Sequence, residues 1–411
     1  PAKQERVISA YFRADAGLGY EFGRVPMTSS DFSPAGNWTC CDEPGDSELK
    51  SFSIDHYRRA VLPMIHRARG ALMDSGGGPL KLVASPWSPP AWMKSNGSMV
   101  QGSLKDDCRG AWAHYFVRFA QAFADEGIPL WGMTVQNEPA NASGRWETCR
   151  FSPQEERDFI RDFLGPALLC APALETADGA RGPRLLFWDH NRCQVGERPQ
   201  VVYSDRDAER FVWGMAFHWY DHWESEFPRF EFIERVHALR PEKHLIQTEA
   251  CVEEPPSTFV GKWAQGERYA FHILNDLNTW TEAWIDWNLL LDENGGPNHA
   301  GNFCMAPIHA DTSSDTLLFQ PSYYYIGHFS RYMRPGAVGI GSCVQGGTHM
   351  QRAALDVTAF ENVDGTTAVV VLNQTDDLVT FQLAVAEGSH YLKTLAWAPE
   401  RSITTFILPP G

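Results

Sequence analysis

The sequence predicts an α/β fold, a (β/α)8 TIM barrel that carries a small antiparallel β-sandwich. Between Tyr20 and about Leu291, short apolar strands alternate with amphipathic helices, a pattern typical of a parallel sheet. Chemically distinctive residues follow many different strands, as at the carboxyl face of a barrel, whereas a doubly wound sheet would show a GxGxxG turn after its first strand. After about Gly336 the apolar residues alternate with period two, which indicates antiparallel strands.

Seven segments of the first region have the length and apolar character of barrel strands, one fewer than a closed barrel needs. In chain order they are Glu21–Pro26, Leu80–Ser85, Leu130–Gln136, Arg184–Trp188, Trp213–His218, His244–Thr248 and Ala283–Leu290. The helices between them carry clear signals. Arg109–Glu126 has an aromatic stripe and stops before Gly127, Ser152 and Glu155 form a capping box, and Phe227–Arg240 is a further helix.

The C-terminal region contains five short strands joined by turns such as Asp364-Gly365. The strands are predicted at Ala354–Phe360, Ala368–Leu372, Val379–Val385, Tyr391–Trp397 and Ile403–Leu408. This number of strands is typical of part of a sandwich packed on a barrel. We therefore divide the chain into residues 1–335, an N-terminally incomplete barrel, and residues 336–411, a β-sandwich side domain.

Composition argues against two classes of partner. The 411 residues contain 35 Lys and Arg against 51 Asp and Glu, and a net charge of -16 repels nucleic-acid phosphates. No apolar run approaches the ~20 residues that span a bilayer, so no integral membrane segment is expected. The nine cysteines show neither a CxxC pair nor zinc-ligand spacing, so we expect mostly free thiols and no metal. The compartment, cytoplasmic or secreted, stays open.

Two glutamates that end apolar strands are the candidate catalytic pair. Glu138 precedes Pro139, which disfavours helix and should hold the glutamate in an extended conformation at the carboxyl end of the strand. Glu249 ends another strand three βα units later, and on a barrel these two ends face each other. Retaining hydrolysis of a glycosidic bond needs such a pair ~5–5.5 Å apart. Glu253 and Glu254 are discounted because Glu-Glu-Pro-Pro is typical of a solvated loop.

Tryptophan-rich clusters follow three other strands and suggest a sugar site. Trp faces stack on the C–H surfaces of sugar rings, while Asn and His edges hydrogen-bond the hydroxyls. Trp87 follows the second strand and Trp287 the last. His218 and Tyr220 share one face of their strand and Trp219 takes the other, so the first two are candidates for the site. Taken singly, each Trp fits core packing equally well.

Arg24, at the end of the first predicted strand, has two interpretations. It is either a surface cation or a buried donor that keeps Glu249 ionised. In the second case Arg24 lowers the pKa of Glu249 while Glu138 stays protonated in a drier environment. The sequence leaves both open.

A series of ordered motifs resembles glycoside hydrolase family 30, in the branch that contains glucosylceramidase. The motifs are Arg24-Val-Pro-Met27, Ala84-Ser-Pro-Trp87, Gln136-Asn-Glu-Pro139, His218-Trp-Tyr220, Glu249-Ala-Cys251, Asp286-Trp-Asn288 and Gly295-Gly-Pro-Asn298. The resemblance implies retaining hydrolysis of β-glucosides without a cofactor, with Glu138 as acid/base and Glu249 as nucleophile. It also implies a sugar pocket lined by Trp87, Asn137, Tyr220, Trp287 and Asn302.

One departure concerns the start of the barrel. Members of the family begin it with a strand that bears a Gly-Phe-Gly-Gly-like stretch and a sugar-binding Asp, and this sequence shows neither. We therefore expect a missing N-terminal segment, or another chain, to complete the barrel.

The substrate stays open between a glucosylceramide-like lipid and soluble β-glucosides, because the negative charge disfavours docking on anionic membranes. Alternatives are an endo-β-1,6-glucanase or β-xylosidase of the same family, or a non-catalytic carbohydrate-binding protein.

Overall fold

A parallel sheet of seven strands is the centre of the computed structural model, which describes residues 2–171, 174, 176, 178–346, 348, 352–387 and 390–410. Each strand pairs in parallel with the next along the chain. The strands are β1 (Phe22–Pro26), β2 (Lys81–Ser85), β3 (Gly132–Thr134), β4 (Arg184–Asn191), β5 (Val212–His218), β6 (His244–Glu249) and β7 (Ala283–Trp284). The predicted barrel architecture is therefore confirmed as a near-barrel of seven strands.

The helices up to residue 239 pack their apolar faces into one large core with the sheet, and the helices at residues 263–278 and 321–330 contribute to a second core cluster. They are α1 (Ala2–Phe12), α2 (Asp55–Arg59), α3 (Val61–Asp74), α4 (Arg109–Asp125), α5 (Pro153–Phe159), α6 (Gly165–Cys170), α7 (Arg198–Ser204), α8 (Arg206–Glu209), α9 (Phe230–Leu239), α10 (Pro256–Phe259), α11 (Trp263–Asn278) and α12 (Pro321–Ser330). The aromatic stripe of α4 is buried, and Ser152 caps α5 in the predicted capping box. Among the described helices, none has the length and apolar character needed to cross a bilayer.

Two predicted strands are much longer than the observed ones. The segment predicted at Leu130–Gln136 forms only the three-residue β3. The segment predicted at Ala283–Leu290 divides, because β7 ends at Trp284 and Leu290 begins a different sheet. Beyond β7 the N–H of Ile285 donates both to the carbonyl (3.0 Å) and to the side chain (3.2 Å) of Gln247, and the N–H of Trp287 donates to the carbonyl of Ala250 (2.8 Å). The chain therefore stays beside β6 through separate hydrogen bonds, without a continued strand.

Two further units follow the barrel strands. A small three-stranded sheet contains β8 (Leu290–Asp292), β9 (Ile308–Asp311) and β10 (Thr316–Phe319). The C-terminal unit contains β11 (Val338–Ile340), β12 (Leu355–Glu361), β13 (Thr367–Asn373), β14 (Val379–Glu387), β15 (His390–Ala398) and β16 (Ser402–Leu408). Strands β11, β12, β13 and β16 form one antiparallel sheet and β14 pairs with β15. The predicted β-sandwich is confirmed, with β11 as a strand that the sequence did not indicate.

The two edge strands of the parallel sheet, β1 and β7, flank a largely apolar cleft of ≈ 950 Å³. Met64 of α3, Ile273 of α11 and Phe329 of α12 contribute to its walls. The cleft also reaches Arg24 and Trp287, so it is continuous with the region where the predicted site residues lie.

Candidate active site

Arg24 is the centre of a buried ionic network at the carboxyl ends of the strands. Its side chain is 2% exposed. The guanidinium donates to Oε2 of Glu249 (2.6 Å), Oδ1 of Asn137 (2.7 Å) and Oδ2 of Asp189 (2.7 Å). Arg24 is therefore a buried donor, and the interpretation as a surface cation is wrong.

The backbone of Glu138 is not extended as the following proline predicted. Its φ is 49°, in the left-handed region that non-glycine residues rarely adopt. Two backbone hydrogen bonds hold this conformation. The N–H of Glu138 donates to the carbonyl of Asp189 (2.9 Å), and the N–H of Asn141 donates to the carbonyl of Glu138 (2.9 Å). A strained residue fixed in this way is typical of functional sites.

The carboxylate of Glu138 lies among one amide and two imidazoles. Asn141 donates to Oε2 at 2.5 Å. Oε1 lies 3.3 Å from Nδ1 of His190 and 3.5 Å from Nδ1 of His218. The two Nδ1 atoms and the carboxylate all lie within 4.8 Å of one another, so this cluster could also hold a metal ion.

Glu249 ends β6 with a donor on each carboxylate oxygen. The hydroxyl of Tyr220 donates to Oε1 (3.1 Å), and Arg24 donates to Oε2. Trp219 faces the other way, where its indole N–H donates to the carbonyl of Cys251 (3.1 Å) in a separate buried cluster. The structure thus places His218 and Tyr220 in the network and Trp219 outside it.

The pKa shifts of the two glutamates are opposite to the expected ones. Burial raises the pKa of Glu138, but the charges of His190 and His218 outweigh burial and hold that pKa well below its ordinary value. Burial raises the pKa of Glu249 and the charge of Glu138 adds to this, and the opposing pull of His218 and Arg24 does not cancel it. These directions differ from the expected lowering of the pKa at Glu249 beside a drier Glu138, because Glu138 faces two imidazoles.

An aromatic wall adjoins the ionic network. Trp87 and Trp287 stack with ring centroids 5.0 Å apart and an interplanar angle of 21°. The guanidinium of Arg24 lies over both rings, 4.7 Å from the Trp87 centroid and 5.7 Å from the Trp287 centroid. Stacking and cation–π contact orient these rings beside the carboxylates.

Asp31 is a site residue that the sequence analysis missed. It follows β1 and is buried, and its Oδ2 accepts from the side-chain amides of Asn298 (3.1 Å) and Asn302 (3.0 Å). Burial raises its pKa to about 7, against the two amide donors and with a contribution from the charge of Glu249. The predicted pocket residue Asn302 therefore lies in this second polar cluster. Asp31 lies five residues beyond Pro26, the last residue of β1, so the signal used for Glu138, a polar residue at the end of a strand, did not indicate it.

Asp189 and His190 were also missed, because β4 extends three residues beyond its predicted end. Asp189 accepts from the hydroxyls of Thr134 (2.7 Å) and Thr248 (2.6 Å). Its Oδ1 also lies 2.9 Å from Nε2 of His218. Burial raises the pKa of Asp189, but Arg24 and His218 lower it far below the ordinary value. Because this carboxylate is ionised, Nε2 of His218 must donate to it.

The loop after β6 holds Glu253, which is not solvated as predicted. Its side chain is only 16% exposed and lies 3.3 Å from Arg268. Burial raises the pKa of Glu253 to about 7 even though Arg268 lowers it. Among the described contacts its partners are Arg268 and His222, not the network around Arg24.

We expect Arg24→Met to lower the free energy of unfolding by about 3–5 kcal/mol, because it leaves the buried carboxylates of Asp189 and Glu249 without their cation. Urea titration followed by tryptophan fluorescence measures the loss. Arg58→Met is the matched control, since Arg58 also bridges two carboxylates but is half exposed, and its loss should lower the free energy of unfolding far less. Equal costs for the two variants would contradict the buried network.

Two carboxyl groups beside stacked tryptophans, at the strand ends of a parallel near-barrel, define the protein as a glycoside hydrolase. A family model for the TIM-barrel domain of glycosyl hydrolase family 30 matches residues 1–333, and one for the β-sandwich domain of that family matches residues 336–406. The chain belongs to glycosyl hydrolase family 30.

Known proteins agree with this assignment. The lysosomal acid glucosylceramidase of Mus musculus is 33% identical over 99% of this chain and 77% of its own length. The crystal structure of SrfJ from Salmonella typhimurium is 30% identical with a TM-score of 0.87, and the match covers 100% of this chain and 86% of that one. The structure of an endo-β1,6-glucanase is 28% identical with a TM-score of 0.83, over 99% of this chain and 86% of that one.

Proposed function

We propose that this chain is a retaining β-glucosidase that hydrolyses β-glucosides by double displacement. The observation that carries the proposal is the network in which Glu138 and Glu249 meet. Arg24 binds both Glu249 and Asn137, the neighbour of Glu138, while His218 contacts Glu138. Family membership supports hydrolysis of a glycosidic bond, and the retaining mechanism that we propose requires a pair of carboxyl groups such as these.

In the first step Glu249 attacks the anomeric carbon and Glu138 gives a proton to the glycosidic oxygen as the bond to the aglycone breaks. In the second step Glu138 takes a proton from water, which attacks the same carbon and releases Glu249. Tyr220 and Arg24 would hold the carboxylate of Glu249 in line with that carbon.

We place the source of the proton for the first step at Nδ1 of His218, which lies 3.5 Å from Oε1 of Glu138. Burial lowers the pKa of His218, but the charge of Glu249 and the contacts to Asp189 and Glu138 raise it to about 9. Transfer of the proton from Nδ1 of His218 to Glu138 leaves a neutral imidazole that still donates from Nε2 to Asp189. Glu138 thereby becomes the acid that the first step requires, although its pKa is low before this transfer.

The terminal sugar would lie between the aromatic wall and the polar clusters. Trp287, which stacks on the buried Trp87, offers an aromatic surface for the ring, and Asn137 offers an amide for the 2-hydroxyl. Asp31 is buried near the charge of Glu249 and offers a carboxyl group for the other hydroxyls of the sugar.

The glucosylceramidase relative favours a β-glucoside as substrate, either a glucosylceramide-like lipid or a soluble β-glucoside. The similarity to an endo-β1,6-glucanase structure supports that activity as the second candidate. Three substrates distinguish the soluble glucosidase, the lipid glucosidase and the glucanase. They are an aryl β-glucoside, glucosylceramide in detergent and a β-1,6-glucan polymer. Release of glucose alone, with no shortening of the polymer, favours the glucosidase, and oligosaccharide products favour the glucanase.

The retaining mechanism predicts that the first product from a β-glucoside is the β-anomer of glucose. Proton NMR of the fresh reaction mixture resolves the two anomeric signals before mutarotation mixes them. Because two inversions at one carbon restore its configuration, the β signal should grow first. Early α-anomer would reject retention and the proposed role of Glu249.

A further inference from the structure

We infer that Glu138, His190 and His218 form a binding site for a divalent transition-metal cation of the zinc class, and that a bound cation blocks the acid/base. Residues of β4 and β5 converge here on the glutamate that follows β3. Imidazole nitrogens and a carboxylate oxygen are ligands that zinc accepts, and three protein ligands with one open position are typical of accessible zinc sites.

The two imidazole nitrogens that face Glu138 have no hydrogen-bond partner. Nδ1 of His190 and Nδ1 of His218 are both buried and unpaired among the described contacts. The side chains are 6% and 0% exposed respectively. A buried nitrogen without a partner costs free energy, so both atoms have unused capacity for a ligand. Both point to the same oxygen, Oε1 of Glu138.

The distances match a zinc coordination sphere. Bonds of ~2.0–2.1 Å in tetrahedral geometry place neighbouring ligand atoms about 3.3 Å apart. The two measured separations from Oε1 of Glu138 are 3.3 Å to His190 and 3.5 Å to His218. The three ligand atoms lie within 4.8 Å of one another, so a cation could contact all three once the two imidazoles move closer together.

The surrounding residues already orient the ligands as outer-shell partners do in metal sites. Nε2 of His218 donates to Asp189, so the neutral ring keeps its proton on Nε2, and a metal that displaces the Nδ1 proton finds the lone pair of Nδ1 directed at it. Asn141 holds Oε2 of Glu138, which leaves Oε1 for the metal. In the described part of the site, the carboxylates of Glu138, Asp189 and Glu249 outnumber the single guanidinium of Arg24 and favour an added cation.

Isothermal titration with Zn²⁺ at pH 8 tests the site directly, without reference to activity. The background protein carries Cys170→Ser and Cys343→Ser, because these two thiols are exposed and would bind zinc themselves. We expect one Zn²⁺ per chain. His190→Asn should weaken binding by at least about 10–100-fold, the loss that even an outer-shell partner causes. His114→Asn, at an exposed position of α4, is the matched control and should bind as the background does.

A second measurement does not depend on the folding of the histidine variant. Co²⁺ added to the background protein should give the strong visible absorption of a low-coordinate ion, and Zn²⁺ should abolish it. Absence of this spectrum together with absence of zinc binding would overturn the site, as would equal affinity in His190→Asn and His114→Asn.

The inference that a bound cation inhibits hydrolysis rests on the proposed role of Glu138 as acid/base. Hydrolysis of an aryl glucoside should fall as the zinc site fills and return when EDTA removes the metal. Binding without inhibition would keep the site but overturn its blocking role and the assignment of Glu138. Active enzyme that binds no Zn²⁺ would reject the metal site and leave the proposed function intact.

Discussion

Glu249→Gln should lower kcat for an aryl β-glucoside by about 10⁴–10⁶-fold, the range seen when an enzyme loses its nucleophile. The loss corresponds to about 5–8 kcal/mol of transition-state stabilisation. The amide keeps the shape of the side chain and an oxygen for the hydroxyl of Tyr220, but it cannot form the covalent glycosyl intermediate. Initial-rate kinetics and a thermal melt of the same preparation separate a chemical loss from unfolding.

Glu253→Gln is the matched control for this variant. Glu253 lies four residues further along, is also largely buried, and interacts with Arg268 outside the network around Arg24. We expect its kcat to stay within about threefold of the unsubstituted enzyme, as for a position whose side chain does not act in the transition state. Comparable kcat values in the two variants would remove the nucleophile assignment. Azide should restore turnover to Glu249→Ala and release an α-glucosyl azide, which a merely structural role would not allow.

The sequence could predict the elements whose apolar runs are bounded by clear signals. Strands β2, β5 and β6 begin and end within one residue of prediction, because a buried parallel strand must be apolar along its whole length. β7 was predicted too long because the residues after it remain largely apolar although they no longer pair regularly with β6. The apolar composition of a segment indicates that it is buried, but it does not indicate which group each backbone N–H binds.

The site was predictable where polar residues directly follow a strand, as Glu138, Asn137 and Glu249 do. Asp189 and His190 escaped because neighbouring residues in a regular strand face opposite sides of the sheet. In the structure, the pairing of β4 with β5 slips between Trp188 and His190, and Trp188 and Asp189 have φ values of 75° and 52°. This β-bulge re-aims both Asp189 and His190 into the site. No pattern of residue types indicates left-handed backbone at a tryptophan.

The prediction of an extended backbone at Glu138 failed for a related reason. Proline restricts the residue before it only locally, whereas the carbonyl of Asp189 binds the N–H of Glu138 from a neighbouring strand. That contact exists only once β4 carries its bulge. The strained glutamate and the bulged aspartate are therefore two parts of one tertiary arrangement, which local sequence rules do not contain.

Glu138→Gln should affect hydrolysis according to the leaving group. For an alkyl β-glucoside, whose alkoxide leaves only with a proton, we expect kcat/KM to fall by about 10²–10⁴-fold, the usual contribution of a general acid. For a dinitrophenyl β-glucoside the aglycone leaves unprotonated, so the first step should be nearly normal. The second step still lacks its base, so a burst of dinitrophenol should precede slow turnover.

The two substrates make Glu138→Gln its own control. Because both report on the same protein preparation, misfolding or loss of sugar binding would lower kcat/KM for both aglycones by the same factor. A large difference between them can arise only if the side chain at 138 transfers the proton to the departing oxygen. Equal losses would move the acid/base role away from Glu138, and His190 and His218, whose imidazoles lie beside the same carboxylate, would then be the groups to test.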